Sequence, residues 1–93
     1  MKMTNNNTTT FFESPSSPEK ERFVDVNLDI SERVMYLLAK KGWSQKDFAI
    51  QLGKSEVKLS KWLSGIHNLN LKSISKMEAL LGENIIETPH VDQ

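Results

Sequence analysis

The sequence predicts an all-α domain of four or five helices, preceded by a disordered or extended N-terminal arm, and three observations carry that prediction. Residues that open or close helices recur at Asp29, Gly42, Ser44, Gly53, Ser55, Asn70 and Gly82. Between them the apolar residues fall at helical spacing. The one segment with a period of two, Phe23 to Ile30, has no partner strand beyond a weak candidate at Ile85 and Ile86.

Residues 1 to 22 are rich in Thr, Asn, Ser and Pro, with only Phe11 and Phe12 as apolar anchors, and read as a disordered tail. In Phe23 to Ile30, Val24, Val26, Leu28 and Ile30 alternate with Asp25, Asn27 and Asp29, which predicts an extended strand with one apolar side. Together these residues make an arm, 1 to 28. The domain proper, 29 to 82, opens on Asp29 with Glu32 three residues later, the form of a capping box. Ile30, Val34, Leu37 and Leu38 then share one face of a first helix that Gly42 ends. Ser44 caps a second helix, with Asp47 at its third position and Trp43 placed to pack on Phe48. Ser55 caps a third. Asn70 caps a fourth, which carries Leu71, Ile74, Met77 and Leu81 up to Gly82, and Leu69 is placed to pack on Ile74. An acidic tail, 83 to 93, is interrupted by Pro89 and adds one more element or none.

The stretch from Gln45 to Gly65, QKDFAIQLGKSEVKLSKWLSG, has the form of a helix-turn-helix, whose second helix enters a DNA major groove. Ala49 lets the two helices approach, Gly53 can take the positive φ that ends the first, and Ser55 can cap the second. Leu52, Leu59, Trp62 and Leu63 face inward; both Trp43 and Trp62 read as core aromatics. Gln45, Ala49, Gly53, Ser55, Leu59, Ser60, Lys61, Trp62 and Gly65 together resemble the lambda-repressor-like, Cro/C1-type helix-turn-helix family, also called the xenobiotic-response-element family. The resemblance spans about Ile30 to Leu81. It implies sequence-specific binding to duplex DNA, regulation of transcription, and a homodimer on a near-palindromic site. Many relatives have Gln where this chain has Glu56, and an acidic or amide residue where it has Leu63 and Ser64, so their base preference does not carry over.

The residues placed to meet base edges are Glu56, Val57, Ser60 and Lys61, near the start of the third helix. Glu56 could accept from cytosine N4, Val57 touch a thymine methyl, Ser60 serve several bases, and Lys61 donate to guanine O6 and N7. Two alternatives stay open: Glu56 as a charge at the positive end of a helix dipole, and Lys61 as a phosphate contact. The resemblance implies a phosphate bond from Gln45. Lys46, Lys54, Ser55 and Lys58 surround it, while Asn68 and Lys72, with His67 nearby, form a second clamp across the reading helix.

Charge distribution agrees with such a face. The formal net charge is zero, yet residues 31 to 82 carry nine Lys and Arg against four Asp and Glu, and the flanks carry the compensating excess of acid. A basic centre suits a phosphate backbone, and acidic flanks suit a basic protein partner or a screen against non-specific DNA binding. HigA-like antitoxins have a similar layout, which opens a second reading: neutralisation of a small ribonuclease toxin through the arm, with Val24, Val26 and Leu28 adding to a partner's sheet edge, together with autoregulation of the operon. No cysteine is present, and His67 and His90 are far apart. No phosphate-binding glycine loop or nucleophile motif stands out, so neither enzyme activity, cofactor nor metal is expected. The absence of a signal-peptide core or a long apolar run leads to the expectation of a cytoplasmic protein with no membrane partner.

Overall fold

The computed structural model of the chain describes residues 17 to 89, and within them the backbone forms four α-helices and no strand. These are α1 (Pro18–Lys41), α2 (Gln45–Leu52), α3 (Glu56–Trp62) and α4 (Leu71–Leu81). The all-α expectation holds. The tail reading for residues 1 to 16, including Phe11 and Phe12, falls outside the described residues.

The largest correction concerns α1. The segment Phe23 to Ile30 is helical rather than extended, the helix does not start at Asp29, and residues 18 to 22 belong to it. Its start lies at Ser17, whose Oγ accepts the Lys20 N–H at 3.1 Å. Pro18 follows, at a position where a missing N–H costs nothing, and Glu19 and Glu21 stabilise the positive end of the helix. With the nucleus made there, Phe23, Val26, Asn27, Ile30 and Val34 come onto one side at intervals of three and four. Alternating Val and Leu also fit a strand, but an isolated strand leaves its backbone unpaired, whereas the helix satisfies it internally. Ile85 and Ile86 form no strand either.

The core draws on every element. Ile30, Val34, Leu37 and Leu38 of α1 meet Phe48, Ala49 and Leu52 of α2, Leu59 and Trp62 of α3, and Ile74, Met77 and Leu81 of α4. Ile85, beyond the last helix, completes it. That residue is held by Glu78, whose Oε2 accepts the N–H of Ile85 at 2.7 Å and of Ile86 at 3.1 Å. Arg33 reaches across from α1 to the Asn84 carbonyl, and Glu83 pairs with Lys40 at 2.8 Å and Arg33 at 3.5 Å. The start of the tail is therefore fastened to the domain. Leu71, the first residue of α4, is 69% exposed, whereas Ile74, Met77 and Leu81 of the same helix are buried.

Candidate functional site

Side chain to backbone bonds fix the position of α2 and α3. Ser44 and Asp47 exchange bonds at the start of α2: the Ser44 N–H donates to Asp47 Oδ2 at 2.9 Å, and the Asp47 N–H to Ser44 Oγ at 3.0 Å. The donors on Ser44 hold the Asp47 carboxyl below the ordinary carboxylate range. Trp43 packs on Phe48 with ring centroids 6.2 Å apart, which anchors the approach to this helix. At the other end Gly53 takes φ +73, a conformation that reverses the chain at little cost only without a Cβ. Ser55 then accepts the Lys58 N–H at 3.1 Å and starts α3 after only three intervening residues. Ala49 is buried between the helices, where a larger side chain would push them apart.

This frame turns α3 so that its two sides differ completely. Leu59 and Trp62 are buried, whereas Glu56, Val57, Lys58, Ser60 and Lys61 are exposed. Val57 is 73% exposed. Glu56, Val57, Ser60 and Lys61 lie at steps of one and four, hence on one stripe. The four residues expected to meet bases therefore share an accessible surface.

The flanking residues fall into two groups. Gln45 and Lys46 stand at the beginning of α2; Gln45 is half-buried and its amide donates to Met35 Sδ at 3.6 Å, a weak bond that orients it. Ser55 and Lys58 flank the start of α3, and the Ser55 hydroxyl keeps its own proton to donate while accepting from Lys58. Lys54, in the turn of the motif, and Lys72, in the helix that follows it, are brought together. With Trp62, Ser73 and Ser75 they line a cleft of about 520 Å³ between the turn and α4. A third lysine, Lys76, lines the same cleft. The sequence reading passed over Lys76; its spacing from Lys72, four residues on one helix, was the available signal. Lys54 is steadied by the Trp62 ring, with Nζ 5.7 Å from the centroid. Trp62 is thus both core residue and wall of a basic cleft. Asn68 is exposed in the loop before α4, and Asn70 Oδ1 accepts the Ser73 N–H at 2.8 Å to fix the start of that helix.

Val24, Val26 and Leu28, expected to act together on one edge, are separated by the helical turn. Val26 packs toward the core, Val24 is half-buried, and Leu28 extends to Gly65, 46% exposed. His67 is half-buried in the loop after α3, and His90 is outside the described residues. No described helix is long and apolar enough to cross a membrane.

A helix-turn-helix family model matches residues 34 to 87, more than half of the chain, with α2, the turn, α3 and α4 all inside the match. The first sixteen residues of α1 lie before it. Searches of curated proteins and of solved structures returned no match.

Proposed function

Because this chain belongs to the Cro/C1-type helix-turn-helix family of DNA-binding transcription regulators, we propose that it is a repressor that reads an operator's major groove with α3, as a homodimer. The observation that carries this reading is the two-sided character of α3: an inner side locked by Leu59 and Trp62, and an exposed stripe of Glu56, Val57, Ser60 and Lys61 with lysines on both flanks. A helix held rigidly from behind can present side chains to base edges with little loss of conformational freedom on binding.

In this scheme the stripe supplies specificity and the flanks supply affinity. Gln45, Lys46, Ser55 and Lys58 meet phosphates beside the reading helix. Lys54 and Lys72, joined by Lys76 in the cleft beside Trp62, meet phosphates on its other side, and Asn68 does so from the loop before α4. The expectation is an asymmetry between two sets of variants. Lys54→Ala, Lys72→Ala and Lys76→Ala should weaken binding to every sequence alike, each lowering the slope of log affinity against log salt by about 1. Glu56→Ala or Lys61→Ala should instead change preference at one or two base pairs, each worth ~1–3 kcal/mol. Site selection from random duplexes, run at two salt concentrations, measures both. A consensus unchanged when all four stripe residues are alanine would end the assignment of α3 as the reader.

The antitoxin reading relied on an extended arm that could add to a partner's sheet. With residues 23 to 30 in α1, that feature is gone, and repression of a DNA site is the reading the residues favour.

A further inference from the structure

The N-terminal turns of α1 carry the only buried polar side chain among the described residues, Asn27, which is 8% exposed. Its Nδ2 donates to the Phe23 carbonyl at 3.0 Å. That carbonyl can only accept, so the amide nitrogen must face it, and Asn27 Oδ1 accepts no hydrogen bond among the described residues. A buried acceptor without a donor is uncommon in a folded protein, and a leucine at this position would have extended the apolar side of α1. Asn27 instead forms part of the wall of a hollow of about 290 Å³ between α1 and the start of α4. Phe23, Val26, Ile30, Leu69, Ile74 and Ile86 supply its apolar walls. Arg22 and Asn68, both exposed, border it, and no acidic residue lines it.

Helical geometry orders these groups. At about 100° per residue, Val26, Ile30 and Phe23 fall between Arg22 on one side and Asn27 on the other, and the last two stand about 7.5 Å apart along the axis. An apolar middle therefore has a cation at one end and a bare acceptor at the other. We propose that the hollow binds a small carboxylic acid with an apolar body and a hydroxyl or N–H at its far end. The carboxylate pairs with Arg22, the body covers the apolar walls, and the far donor reaches Asn27 Oδ1. Arg22 has no ion pair among the described residues, and a guanidinium can meet a carboxylate through two N–H groups at once. Since one water takes up roughly 30 Å³, the hollow admits a molecule on the order of ten non-hydrogen atoms. Mostly apolar walls with a few convergent polar groups are the usual form of a small-molecule site. A ligand seated there would also tie the N-terminal turns of α1 to α4.

No DNA enters the test, so its failure leaves the reading of α3 intact. The probe is para-hydroxyphenylacetate, which has the size, the carboxylate and the far hydroxyl that the hollow calls for. Nuclear magnetic resonance titration of the isotope-labelled full chain should give saturable shifts at amides of residues 22 to 30, 68 to 74 and 86, with a dissociation constant of about 1 mM or below. Phenylacetate, which lacks the donor, and para-cresol, which lacks the carboxylate, should each bind more weakly by roughly fivefold or more. Arg22 is exposed, so Arg22→Gln should fold as the native chain does while losing the preference for the acid over the cresol. Asn27→Leu should lose instead the preference for the hydroxyl. Bound probe should also slow hydrogen exchange across residues 21 to 29, because a ligand that binds only the folded turns stabilises them. The absence of saturable shifts up to about 10 mM would overturn the proposal, whether water or another part of the chain fills the hollow. Equal affinities for the three probes, unchanged preferences in either variant, unaltered exchange, or shifts centred elsewhere would overturn it as well.

Discussion

The two halves of α1 differ in what they are for. From Ile30 to Lys41 the helix gives four side chains to the centre of the domain and ends in a cap, with Lys40 and Arg33 tied to the segment after α4. From Pro18 to Asp29 the same helix buries only Asn27, whose Nδ2 donates back to the Phe23 carbonyl one turn earlier. Phe23 and Val26 line a hollow with Leu69 and Ile74, and Leu28 lies against Gly65. One continuous helix thus carries a core element and an overhang. The difference teaches that helical continuity does not imply equal stability, since tertiary burial rather than backbone bonding fixes a helix in water.

That contrast is broken most readily by truncation in each half. Leu37→Ala, at a site only 2% exposed, should cost ~2–5 kcal/mol, enough to unfold much of the population of a small domain. Phe23→Ala, at a half-buried site over an open hollow, should cost ~1 kcal/mol and leave the urea midpoint close to native. Native-state hydrogen exchange should show amides of residues 21 to 29 opening well below the global unfolding free energy, and those of residues 34 to 40 only with it. Equal costs for the two truncations would mean that the overhang is part of the core.

A smaller effect tests a place where the overhang meets the reading half. Gly65 has φ +93, and a Cβ there would come within 2.7 Å of Leu28 Cδ2. Gly65→Ala should destabilise by ~1–3 kcal/mol, part from the left-handed backbone and part from the collision. Leu28 is 46% exposed and can swing away, so the collision is the lesser part. Adding Leu28→Ala should recover only that part, which a double-mutant cycle measures. Full recovery would show that the backbone conformation carries no cost; no recovery would show that Leu28 already moves freely.

The same division marks what the sequence made legible. Ser44 with Asp47, Gly53, Ser55 and Asn70 could be read because caps are local: a side chain bonds an amide two or three residues away, and no distant contact is needed. The core face of α1 from Ile30 onward, and Trp62 as a core residue, were legible from spacing. The overhang was misread because Phe23 to Ile30 fits both periods: Val24, Val26 and Leu28 alternate, while Phe23, Val26, Asn27 and Ile30 recur at helical intervals. The deciding signal lay upstream, where Ser17, Pro18 and Glu19 form a cap, a helix-compatible proline and an acid in the first turn. The four-residue spacing of Lys72 and Lys76 was legible, but the cleft they share with Lys54 was not, since it depends on how α4 packs beside Trp62.

The smallest expected effect separates the cap of α2 from the ties of α1 by pH. The Asp47 carboxyl is lowered by bonds from Ser44, and the Glu83 carboxyl is lowered by Lys40, first through the hydrogen bond and then through charge. A carboxyl whose pKa is lower folded than unfolded gives stability that is present above the unfolded value, about 4. That stability is lost as pH falls through the folded value. Lys40 is raised by Glu83, so its share is present below the unfolded lysine value and is lost as pH rises through the higher folded one. Asp47→Asn should therefore flatten the acid limb of a stability profile and leave the alkaline limb alone, whereas Glu83→Gln should flatten both. Thermal midpoints measured from pH 3 to 11 at low salt decide between these patterns, and raising the salt should reduce the Glu83 effect more than the Asp47 effect, because the first depends in part on charge and the second mainly on hydrogen bonding from Ser44, a neutral donor. An unchanged alkaline limb in Glu83→Gln would mean that the pair with Lys40 does not hold the core half of α1 in solution, leaving apolar burial alone to distinguish it from the overhang.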